Sequence, residues 1–154
     1  MTERARQVVF AAQEEAGAAG TTEVTPELLL LGMLRDRENV SSRLLTVMEV
    51  DIDALAASIG ASLRRRTPPR TKEEKYQLTS AGRDVINQAY REAVGLSNDY
   101  IGTEHLLLGV IQTARGKTAD ILKMARVVYN ATRISTIHLQ QGGAVWPPPP
   151  TGPI

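Results

Sequence analysis

Two glutamates 77 residues apart, Glu27 and Glu104, are the side chains of this sequence best placed to do chemistry. Each follows a helix-start signal and leads into a leucine run closed by glycine. The two stretches are Thr25-Pro26-Glu27-Leu28-Leu29-Leu30-Leu31-Gly32 and Gly102-Thr103-Glu104-His105-Leu106-Leu107-Leu108-Gly109. A carboxylate in a first helical turn faces unpaired backbone N–H groups and the positive end of the helix dipole, and both stabilise its charge. If a two-fold axis relates the stretches, the carboxylates flank one shared groove, and such a pair suits a guanidinium or ammonium group on a partner protein. The neighbouring N–H groups suit a phosphate or carboxylate. Thr25, Thr103 and His105 stand beside the glutamates as further ligand-contact candidates. The plainer reading, that both glutamates simply favour helix starts, stays open on sequence alone.

Other chemistry finds less support. Gly116-Lys117-Thr118 looks like the end of a phosphate-binding loop, but that pattern needs a glycine where Ile111 stands, so the tripeptide is read as a turn and helix cap. His105 and His138 are the only histidines and there are no cysteines, so neither a metal site nor a bound cofactor is expected. No serine or threonine has a His and Asp arranged to activate it, and no enzyme activity is expected. Arg64, Arg65, Arg66 and Arg70 offer an alternative function as a nucleic-acid- or acidic-partner-binding patch. Glu73 and Glu74 dilute that charge, no aromatic residue interleaves it, and the chain's net charge is only +1, which favours a solvated linker.

The elements that must carry these residues read as helices. With 42% hydrophobic residues but only 4% aromatics, the core must be aliphatic, which favours helices over a sheet sandwich. Ala5, Val8, Val9, Ala12 and Ala16 form one stripe of a helix over residues 2–18, ended by Gly17 and Gly20. Residues 21–24 form a short connector. Thr25 caps a second helix with Pro26 in its first turn. Residues 35–39 form a charged turn, after which Ser41 or Ser42 caps a third helix and Asp51 or Asp53 a fourth. The pattern then repeats: Thr79 answers Thr2, Leu106 to Gly109 answer Leu29 to Gly32, and Asn130 caps an eighth helix that carries Ile134 and Ile137. The expectation is an all-α fold of eight helices, built as two four-helix repeats about a pseudo-two-fold axis. The domain spans residues 1–140, with repeat 1 over about 1–64, a linker at 65–77 and repeat 2 over about 78–140. Residues 141–154, with Trp146 and four consecutive prolines, form a flexible tail. No apolar run approaches the ~20 residues a membrane span needs, and no signal peptide is evident, so a cytoplasmic protein without a membrane partner is expected.

These residues resemble a known family. Thr2-Glu3-Arg4-Ala5-Arg6 with Ala12-Gln13-Glu14-Glu15-Ala16 is similar to the first helix of the Clp N-terminal repeat domain, and Ile101 to Gly109 resembles that family's most specific motif. The resemblance covers about residues 1–140 and is greatest to the N-domains of ClpC-type and ClpA-type unfoldases. It implies a non-catalytic protein-binding module of the Clp ATP-dependent protease/chaperone system. Its partners would be the Clp ATPase/ClpP machinery, adaptor proteins or degradation substrates, including phosphoarginine-marked proteins held by Glu27 and Glu104. The first copy departs from the family's Gly-Thr-Glu-His at Thr25-Pro26-Glu27-Leu28, losing a hydroxyl and an imidazole. Arginines in 35–39 and 113–117 stand where acidic, glycine-rich loops are usual. With no ATPase following the repeats in this sequence, the chain is expected to be an excised domain or a stand-alone Clp accessory protein.

Overall fold

The same threonine-capped helix of 16 residues opens both halves of the chain. In the structure, a computed structural model that describes residues 1–63 and 75–141, these are α1 (Glu3–Ala18) and α5 (Ser80–Gly95). The Thr2 hydroxyl oxygen accepts the Ala5 N–H at 3.1 Å, and that of Thr79 accepts the Gly82 N–H at 3.0 Å. Each such cap satisfies a backbone donor that the helix leaves orphaned, and contributes about 1 kcal/mol. Between them run α2 (Pro26–Arg35), α3 (Val40–Val47) and α4 (Ile52–Ser62), and after α5 come α6 (Thr103–Thr113), α7 (Gly116–Met124) and α8 (Tyr129–Gln141). Eight helices among the described residues make the all-α architecture expected from composition and periodicity.

The two halves use the same joints. Glu49 after α3 and Arg126 after α7, 77 positions apart, both adopt left-handed φ, 62° and 63°; Gly20 and Ser97, related likewise, have 79° and 59°. The halves also hold each other reciprocally. The Thr2 N–H donates to the Ile101 carbonyl at 2.9 Å, and the equivalent Thr79 N–H donates to the Val24 carbonyl, equivalent to Ile101, at 3.1 Å. Contacts in which residue i meets j and j's counterpart meets i's are the signature of two-fold packing.

The core lies along α2 and α6. Leu28 to Leu34 and Thr103 to Val110 are buried on every side, with α2 packed on α1, α6 on α5, and α2 against α6. An aliphatic ladder this wide belongs to a central helix. Two glycines permit the crossings. A Cβ on Gly32 would lie 2.6 Å from the Val8 carbonyl oxygen, and one on Gly109 would lie 2.6 Å from the Val85 oxygen. No buried core residue among those described is aromatic.

Several local expectations are corrected. The connector at 21–24 contains β1 (Glu23–Val24), which pairs in parallel with β2 (Gln77–Leu78), Glu23 opposite Gln77. Gln77, placed at the end of the expected linker, is therefore the first residue of a strand. Two residues carry no readable alternation, so neither strand is visible in sequence. Asn39, not a serine, caps α3: its Oδ1 accepts the Ser42 N–H at 2.9 Å and the Ser41 hydroxyl at 2.7 Å. Asp51 caps α4, while Asp53 pairs with Arg37. Gly17 lies inside α1, and α8 begins at Tyr129, so Asn130 is within the helix rather than its cap. On α8, Ile134 is 54% exposed while Thr132 and Thr136 face inward, each hydroxyl donating to the carbonyl four residues back at 2.8 Å. That local bond makes a threonine cheap to bury, and an apolar count misses it. The arginine run at 64–70 and the tail at 142–154 lie outside the described residues.

Gly109→Ala is expected to destabilise the fold by at least about 2 kcal/mol in urea unfolding, because the new methyl meets backbone that cannot rotate away. Gly60→Ala in α4, where a Cβ would meet nothing within 4 Å, is expected to stabilise by about 0.5–1 kcal/mol.

Candidate functional site

The start of α2 is a carboxylate in a hydroxyl-lined opening. Thr25 caps the helix, its Oγ1 accepting the Leu28 N–H at 3.3 Å, and Pro26 follows in the first turn. Glu27 then reaches across the seam between the halves, where its Oε2 accepts the Thr118 hydroxyl of α7 at 3.0 Å. A cavity of about 210 Å³ opens here, lined by Thr21, Glu23, Thr25, Glu27, Ser62, Lys117 and Thr118 with Leu28 and Leu63 as its apolar wall. The volume suits one side chain or small polar group, and the lining offers both charge signs.

The start of α6 is built from the same position in the repeat but is closed. Gly102 has no side chain to cap the helix, so His105 does the work three residues on: its Nδ1 accepts the Gly102 N–H at 2.9 Å. Nδ1 is thus unprotonated, and Nε2–H donates to Asn98 Oδ1 at 2.8 Å, an oxygen that also accepts from Gln140 of α8 at 2.8 Å. Burial holds the His105 pKa down to about 4. The Tyr100 ring packs edge-on against His105 with centroids 5.2 Å apart, and its hydroxyl donates to Glu104 Oε2 at 3.4 Å. Glu104 is 5% exposed, and burial raises its pKa, offset in part by its own backbone N–H and by Tyr100. Thr103 accepts the Ser41 N–H at 3.1 Å, so α6 grips α3 as α7 grips α2.

This overall arrangement is also found in other proteins, and the family described as the Clp repeat (R) N-terminal domain matches residues 1–125. The chain belongs to that family. An uncharacterized protein of Mycobacterium tuberculosis is 38% identical over 117 residues, covering 75% of this chain and 44% of the relative. The negative regulator of genetic competence ClpC/MecB of Bacillus subtilis is 30% identical over 138 residues, covering 90% of this chain and 17% of its own length. The chain thus spans less than half of either relative. Among solved structures, the Hsp104 N-terminal domain from Candida albicans superposes with a TM-score of 0.74 at 16% identity over 91% of each chain. The N-terminal domain of the ClpV1 ATPase from E. coli gives 0.72 at 20% identity, over 99% of this chain and 91% of that one. At such identities the two structures establish the shared Clp N-domain fold.

Within that fold the expected site residues part company. Thr25 and Glu27 line the open cavity; Glu104 is not part of its lining, so this cavity is not flanked by both carboxylates. His105 is fully buried with both ring nitrogens engaged, and Thr103 is 2% exposed. Both are held by contacts within the chain, His105 with the Gly102 N–H and Asn98 and Thr103 with the Ser41 N–H. Lys117, Thr118 and Glu23 also line the cavity, and the sequence does not single them out as ligand contacts. A signal existed for Thr118, which the 77-residue offset sets opposite Ser41, but nothing local announces that position 118 faces position 27. Gly116, Lys117 and Thr118 form the first turn of α7 rather than a cap. The arginines of the 35–39 turn are ion-paired, Arg35 with Glu14 at 3.8 Å and Glu15 at 3.7 Å and Arg37 with Asp53. Among the described residues there is no metal-binding cluster and no helix long and apolar enough to cross a membrane.

The His105 lock predicts a pH signature. Its folded pKa lies below the unfolded value of about 6.5, so its stabilisation is complete above that pH and is lost as pH falls toward 4, by roughly 3 kcal/mol. Glu104 acts oppositely: its raised pKa means a penalty at neutral pH that acidification relieves. His105→Gln, which can still accept the Gly102 N–H, should flatten the stability loss between pH 6.5 and 4 in urea titrations. A slope unchanged from wild type would remove the lock.

Proposed function

We propose that this chain is a non-catalytic protein-binding module of the Clp protease/chaperone system, recruiting degradation substrates or adaptors or serving as a Clp accessory protein. The observation that carries this reading is the Glu27 cavity at the seam, in a chain of the Clp repeat family. Its chemistry fits a group with a cation beside an anion. Glu27, with Glu23 on the cavity wall, suits a guanidinium; the Lys117 ammonium suits a phosphate attached to it. Phosphoarginine on a marked protein has that layout, and plain arginine has half of it. On this reading the first repeat supplies the contact, while Glu104, Thr103 and His105 hold the second repeat in register.

Calorimetric titration with phosphoarginine, arginine and an arginine-phosphorylated unfolded protein tests the assignment. Glu27→Ala should weaken both small ligands about tenfold or more, the scale of one charge-assisted hydrogen bond. Lys117→Glu should weaken phosphoarginine selectively and spare arginine. No binding of any of the three to the wild-type chain, together with no crosslinking to a ClpC-type ATPase or its adaptors, would overturn the proposal.

A further inference from the structure

An apolar feature that the Glu27 reading leaves unused is a groove of about 640 Å³ between α4 and α7. The start of α7 lies beside the end of α4, since Lys117 shares the Glu27 cavity with Ser62 and Leu63, so the two helices run in opposite directions. The groove floor is Val50, Leu55 and Ile121, with Val50 and Leu55 buried. On its rim stands Met124, 86% exposed, the most exposed large apolar side chain among the described residues. Glu49, Asp120, Lys117 and Arg126 also border it, and none of the four takes part in an ion pair within the described chain. An apolar floor ringed by unpaired charges has the layout of a protein interface.

We propose that this groove is a two-fold interface with a second copy of the chain, the Met124 of each copy seated in the other's groove and Glu49 of each facing Arg126 of the other. Self-complementarity singles out that occupant. An isologous contact needs one surface that carries both halves of every match. Here a single surface carries the knob and the recess, and charges of both signs sit together at the Glu49–Arg126 end. The other half of the molecule provides the control. At the equivalent positions Val40 replaces Lys117, Val47 replaces Met124 and Val128 replaces Asp51, while Arg43 replaces Asp120 and is already paired with Glu38. Among the described residues, the exposed Met124 and the charges of Lys117, Asp51 and Asp120 therefore have no like counterpart in the other half, and an isologous contact through them closes at two copies. The inference is independent of the Glu27 cavity, and its variants leave that cavity's lining untouched.

Sedimentation equilibrium of the full chain from about 1 μM to about 1 mM tests it, a range that captures dissociation constants typical of modest interfaces. The wild-type chain should show a monomer–dimer equilibrium. Met124→Glu should be monomeric throughout with an unchanged helical circular-dichroism spectrum, because the side chain is exposed in the monomer. Glu49→Arg and Arg126→Glu should each weaken the dimer about tenfold, and the double reversal should restore it, which a mere folding defect would not do. A wild-type chain that stays monomeric to the top of the range overturns the proposal, as does a dimer that Met124→Glu leaves intact. A monomer whose α4 and α7 resonances shift only on adding an amphipathic helical peptide overturns it in favour of a foreign helix.

Discussion

The approach of backbone to backbone at Gly32 and Gly109 is the constraint on which the rest depends. With carbonyl oxygens 2.6 Å from where a Cβ would sit, α2 nests into α1 and α6 into α5 more closely than any side chain allows. Only then do the leucine-rich helices have room to be covered on their remaining faces, including by each other. The aliphatic core without aromatics follows from that geometry, since helices this close leave narrow gaps that Leu, Ile, Val and Ala fill better than rings.

Two-fold packing then turns a repeated sequence into two helix starts at one seam, yet the outcomes differ. At α2, a threonine cap and a proline leave Glu27 beside an opening. At α6, a glycine cap recruits His105, and the imidazole draws in Asn98 and Gln140 while Tyr100 covers Glu104. The loss of a hydroxyl and an imidazole from the first copy is thus what keeps it open. One duplicated framework thus has one helix start beside an open cavity and one that is covered.

Packing within the first half also explains why the charged turn at 35–39 matters less than its sequence suggests. Arg35 and Arg37 look like a cationic barrier in one dimension, but each finds carboxylates contributed by another helix. The groove between α4 and α7 shows the converse. Glu49 and Arg126, unremarkable apart, become one surface because equivalent turns of both halves line it.

The sequence by itself determined the number and type of helices, the Thr25 cap of α2, the duplication at a 77-residue offset, the buried leucine ladders and the glycines that close them. All of these are written in local spacing, where helix periodicity and capping chemistry act over three or four residues. What it could not determine were the two-residue strands, the inward turn of Thr132 and Thr136, and above all the fate of each glutamate. Glu27 and Glu104 occupy equivalent positions in the repeat, and beyond their immediate neighbours their difference arises from Thr118, Lys117 and Tyr100. Two of those three lie about ninety residues from Glu27 in sequence. Only the folding of one half onto the other decides which side chains arrive at a carboxylate, and whether they leave it open or cover it.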